Sequence, residues 1–80
     1  MTIAVWMWNW GEGNRYAIEP NSDGGYDTVV ETGLEENLDR EHWATLEAAR
    51  ARFRDELRAR TEAGVEGAAG ALAELEAVSE

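Results

Sequence analysis

Few side chains in this sequence could carry chemistry. His42 is the single histidine, and there is neither Cys nor Lys. Thiol and amine nucleophiles, disulfides and zinc–thiolate sites are therefore excluded together. His42 has Asp39 and Glu41 beside it in the chain, and a His–carboxylate pair is the smallest general-base unit. Groups so close in sequence converge on a substrate only inside a pocket, and no pocket is signalled here. Glu35, Glu36, Asp39 and His42 have the hard-donor character of a cation site without the spacing of a known binding loop. These positions predict no catalytic residue, no metal and no cofactor, and the chain is not expected to be an enzyme.

The acidic residues point to binding instead. The formal net charge is −10 on 80 residues, and it is unevenly placed. Residues 1–49 hold ten acids against Arg15 and Arg40; residues 50–60 hold five Arg against Asp55 and Glu56; residues 61–80 hold five Glu and no base. Such a field opposes nucleic acid and anionic membrane and favours a basic protein partner. Asp27, Glu31, Glu35, Glu36, Asp39 and Glu41 together could imitate spaced phosphates and occupy the basic groove of a nuclease, toxin or effector complex. Electrostatics would speed that encounter. Small phage inhibitors, including anti-CRISPR proteins, use this device as a class.

Trp6, Trp8 and Trp10 are the other candidates for protein binding. Alternation along a strand puts these three indoles on one face and Ile3, Val5 and Met7 on the other. Trp is a favoured interface residue. The indoles suit either an interface or a core under a helix, facing Trp43 and Phe53. Arg50, Arg54 and Arg58 form an i,i+4 stripe with Arg52 and Arg60 beside it. The stripe suits a solvated face or a pairing surface for the Glu-rich tail or a second copy better than a phosphate site.

The elements that must position these groups follow from periodicity. Residues 2–10 are rich in β-formers and end at Gly11-Glu-Gly13. Residues 14–19 and 26–32 alternate around Pro20-Asn-Ser-Asp-Gly-Gly25, which predicts an antiparallel hairpin. Gly33 to Glu41 is an acidic connection, containing either a short edge strand or a helix start near Asp39. Trp43, Leu46, Ala49, Phe53 and Leu57 fall within an arc of roughly 120° at 100° per residue, the stripe of a core-facing helix. That helix is expected over about 45–61, with Thr45 or Asp39 as its N-cap. A weaker, Gly-interrupted helix is expected over about 65–78, on Val65, Ala68, Leu72 and Leu75.

The stretch Tyr16-Ala-Ile-Glu-Pro-Asn-Ser-Asp-Gly-Gly-Tyr-Asp-Thr-Val-Val, with Ala44-Thr-Leu-Glu-Ala-Ala-Arg50, resembles the HicB-type antitoxin family. That family has an aromatic strand, an acidic Asp-Gly-Gly-aromatic turn and a Thr-Leu-Glu-x-Ala helix start. The match covers about residues 16–52. It departs from the pattern after the third strand, where Thr32-Gly-Leu-Glu-Glu-Asn-Leu-Asp replaces a Pro- and Gly-rich segment. An Ala/Glu helix stands where a DNA-binding domain would follow. The resemblance implies a hairpin-plus-helix fold and a toxin- or nuclease-neutralising role.

The expected fold is α+β: a three-stranded antiparallel sheet packed by one helix, then a C-terminal helix. It forms a single small domain over 1–80, in which 63–80 is a semi-independent tail. The opening segment lacks the basic residues of a signal sequence, so a cytoplasmic protein is expected, in the host cell if phage-encoded. The function expected is a non-catalytic acidic module that blocks a basic, nucleic-acid-handling protein, and it is expected to form a homodimer. The alternative is a structural protein, for example of a phage particle, assembling through its Trp strand and Ala-rich helix.

Overall fold

A computed structural model describes residues 4–11, 13–33 and 37–78. The chain runs β1 (Trp6–Asn9), β2 (Arg15–Pro20), β3 (Tyr26–Thr32), β4 (Asn37–Trp43), α1 (Leu46–Glu62) and α2 (Ala68–Ala77). The strands lie in one antiparallel sheet in the order β1-β2-β3-β4. The class is α+β, as the periodicity predicts, with four strands rather than three.

The additional strand is β4, which occupies most of the acidic connection. Asp39 therefore lies inside a strand and caps no helix. Trp43 ends that strand and does not belong to the helical stripe; its Nε1 donates to Thr28 Oγ1 at 2.9 Å. β4 is poor in β-forming residues and holds its place through cross-strand partners on β3. The segment 34–36, with Glu35 and Glu36, lies outside the described residues, as do residues 2 and 3 of the expected first strand.

The β2–β3 turn is bound by its own polar groups. Asn21 N–H donates to Gly25 O at 3.1 Å, and Asn21 Oδ1 accepts from Asp23 N–H at 2.8 Å. Gly25, at φ +75°, leaves no room for a side chain: a Cβ there would collide with the Trp43 carbonyl oxygen and press on the His42 ring. Only glycine meets both conditions cheaply.

Thr45 is the N-cap of α1, its Oγ1 accepting from Ala48 N–H at 3.2 Å, and Glu47 lies in the first turn where the helix end favours negative charge. Leu46, Ala49, Phe53 and Leu57 turn inward and are buried. Gly67, at φ +86°, starts α2, so the second helix is shorter than the expected 65–78 and leaves Val65 in the connection. Ala71 and Leu75 of α2 join Trp6, Tyr16, Ile18 and Phe53 in one buried cluster. Both helices thus cover the same face of the sheet. No helix among the described residues is long and apolar enough to cross a membrane.

Candidate functional site

Register divides the expected acidic surface in two. Asp27 and Glu31 project from the sheet face opposite the helices, whereas Asp39 and Glu41 alternate onto the helix side of β4. The four do not form one array.

Asp27 is also no phosphate mimic, because its charge is consumed. It is 7% exposed, and its carboxylate accepts from His42 Nδ1–H at 2.9 Å, from Asn21 Nδ2 at 3.1 Å to each oxygen, and from Arg40 Nη1 at 3.1 Å. Arg40 also reaches Glu19 at 3.0 Å. The hydrogen bond from His42 holds the Asp27 carboxyl below its usual range, helped by Asn21 and Arg40. The carboxylate that meets His42 is thus Asp27, directly opposite it in the β3–β4 register, and neither Asp39 nor Glu41. The interaction fixes the proton on Nδ1 and turns Nε2 outward. Asp39 and His42 lie on opposite faces, so these two hard donors do not face one another. Among the described residues no group of three or more His, Asp and Glu side chains converges as a metal site.

The Trp residues occupy the layer between sheet and helices. Trp6 is 4% exposed, lies 5.4 Å from the Phe53 ring, and donates from Nε1 to Ala71 O at 3.3 Å. Trp8 and Trp10 stack at 6.0 Å beside Tyr16 and are half-buried against the core. Arg60 lies 4.0 Å over the Trp10 ring and donates to the Tyr16 hydroxyl at 2.9 Å. Burial, reinforced by the Glu56 carboxylate, pushes the Tyr16 phenol above its usual range. The Trp strand and the Ala-rich helix, two surfaces that the sequence offers for assembly, pack on each other within one chain. The strand face left open carries Val5 and Met7.

Two arginines of the stripe, Arg50 and Arg54, are paired within the chain, whereas Arg58 is exposed. Arg54 bonds Glu76 at 2.6 Å and Glu47 at 2.9 Å, and Arg50 donates to the Glu76 and Val78 carbonyls at the end of α2. Cations there satisfy the last carbonyls of the helix. Arg52 bonds Glu56 at 2.9 Å and comes within 3.6 Å of Glu41. Replacing Arg50 with Ala should free the C-terminal turn of α2. Hydrogen exchange there is expected to accelerate severalfold, with exchange in β2 and β3 unchanged.

The acids left facing solvent on the sheet are those of β4. Asp39 and Glu41 line a groove of about 240 Å³ between that strand and α1, with Thr28, Val30 and Arg52 also on its walls. β4 is an edge strand with β3 as its neighbour. Its outer backbone groups are open to pairing, and its charged side chains discourage indiscriminate pairing. No protein family, curated protein or solved structure matches this chain. The function must be read from the surface itself.

Proposed function

We propose that the chain is a non-catalytic acidic binding module that blocks a basic, nucleic-acid-handling protein. Its role would be that of a phage-type inhibitor, such as an anti-CRISPR, or of an antitoxin, acting in the cytoplasm. The observation that carries this reading is the fate of the opposite charges. Arg15, Arg40, Arg50, Arg52 and Arg54 are spent in internal ion pairs, so the excess acid of a −10 chain faces outward. Asp39 presents that excess on an exposed edge strand, with Glu41 beside it 3.6 Å from Arg52, a short way along the chain from Glu35 and Glu36. Charge of this kind steers a basic partner and repels nucleic acid from the same surface. The resemblance to antitoxins over 16–52 supports the same reading.

The test is capture of a partner at physiological salt by the unaltered chain and by a variant carrying Asp39→Lys and Glu41→Lys, followed by a nucleic-acid-binding assay on the captured protein. We expect a basic partner that loses its nucleic acid when the unaltered chain is added. The variant, with unchanged circular dichroism, should bind at least tenfold more weakly, a loss of about 1.4 kcal/mol. Equal binding by the variant, or a partner that keeps its nucleic acid, would overturn the proposal.

A further inference from the structure

We infer, resting on the inhibitor reading for the partner's basic character, that β4 receives an extended basic segment of that partner as a fifth strand. The phase of the backbone ladder carries this. Asn21 N–H donates to Gly25 O at the turn end of the β2–β3 pair, so by alternation Asp27, Val29 and Glu31 bond β2. Tyr26, Thr28, Val30 and Thr32 are left to bond β4, through Trp43, Glu41, Asp39 and Asn37. The N–H and C=O groups of Leu38, Arg40 and His42 therefore point away from the sheet. β4 ends the strand order, and residues 38–42 are exposed. Their outward donors and acceptors match one more antiparallel strand, the mode of strand addition to an open edge.

Side chains select the occupant. In the added strand, residues opposite Leu38, Arg40 and His42 form the hydrogen-bonded pairs. Those opposite Asp39 and Glu41 form the other kind, in which side chains approach more closely. Asp39 and Glu41 line the groove of about 240 Å³ on the helix side, and cations opposite them make cross-strand charge pairs. Arg52 comes within 3.6 Å of Glu41 and shares that carboxylate, so the demand for a cation is greatest opposite Asp39. Leu38, 56% exposed on the other face, favours an apolar neighbour. Running antiparallel from His42 to Leu38, the segment is any-basic-any-basic-apolar. The same row disfavours a second copy of this chain. A two-fold axis at Arg40 would set Asp39 against Glu41 and Arg40 against itself, and like charges directly opposite are destabilising.

The probe is the end-blocked peptide Ser-Thr-Arg-Thr-Arg-Val-Ser, titrated against the whole chain by calorimetry at physiological salt. Its central Thr falls opposite Arg40, with its N–H aimed at β4. N-methylation there should weaken binding at least tenfold. N-methylation of the second Arg, whose N–H points away from β4, should leave binding within twofold. Leu38→Pro removes an outward N–H from an edge strand, a place where proline is tolerated. It should also cost at least tenfold, with circular dichroism unchanged. The peptide arms use the unaltered protein and so decide the matter even where Leu38→Pro unfolds. No binding by the unmodified peptide, or equal binding by both N-methylated forms, would overturn the inference. A basic partner captured by folded Leu38→Pro but lost by the Asp39→Lys, Glu41→Lys double variant would overturn it too, and leave the inhibitor reading standing. A partner kept by that double variant sinks the inhibitor reading itself.

Discussion

Phe53→Ala is expected to abolish the cooperative fold at ordinary temperatures or leave it barely stable. Phe53 is fully buried, stacks on Tyr16 at 5.0 Å and lies 5.4 Å from Trp6, so one ring joins α1 to both β1 and β2. Truncating a buried Phe costs about 3–5 kcal/mol, from lost transfer energy and from the cavity left behind. A domain of 80 residues commands only about 4–12 kcal/mol in all. The melting temperature should fall by roughly 15–30 °C, or the transition should vanish. Thermal unfolding followed by near-ultraviolet circular dichroism is the direct check, because Trp6, Trp8 and Trp10 lie in the layer that loosens. A drop of only a few degrees would mean that the aromatic layer does not close the core.

Asp27→Ala should have the second-largest effect, with a pH signature. The substitution removes a carboxylate that ties the β2–β3 turn, through Asn21, to β4, through Arg40 and His42. Hydrogen bonds to charged groups contribute about 1.5–3 kcal/mol each. Arg40 and His42 are half-exposed and can rehydrate, so a total of about 2–4 kcal/mol is expected. The folded chain holds this carboxyl below its usual range, whereas the unfolded chain titrates near 3.9. As pH falls, the unfolded state takes up the proton first. The stabilisation is thus complete above about pH 4 and is lost as pH drops through the lower folded value. Urea midpoints of the two proteins should differ most near neutrality and converge towards pH 2. A gap independent of pH would show that packing, not the charge, is what Asp27 contributes.

Much of the scaffold is legible along the chain because its signals are local. The β2–β3 hairpin follows from alternation on both sides of a Gly-rich turn. α1 follows from a stripe of Leu46, Ala49, Phe53 and Leu57 behind a threonine cap. β4 is not legible in this way. Its residues are poor strand formers, and what makes them a strand is Asp27 and Thr28 on the neighbouring β3. The Asp27–His42 pair is hidden for the same reason: the two are 15 positions apart and meet only once register is known. Alternation identifies the Trp face of β1 but not which face the helices cover. The stripe Arg50–Arg54 is visible as a stripe, yet its partners at Glu76 and Val78 come from the far end of the chain.

The order of the strands also bears on how quickly the fold is reached. Neighbours in the sheet are neighbours in the chain, so each strand pairing closes a connection of only four or five residues. Closing such short loops costs little entropy, and topologies built from local pairings lie at the fast end of the folding-rate range. The exception is the seam where Trp6 meets Ala71, which spans 65 positions. β2, β3, β4 and α1 can form a nucleus without it, while β1 and α2 bring the two ends of the chain together. Contacts of such long separation are expected to form after the local pairings, and contacts absent from the transition state act mainly on the rate of unfolding.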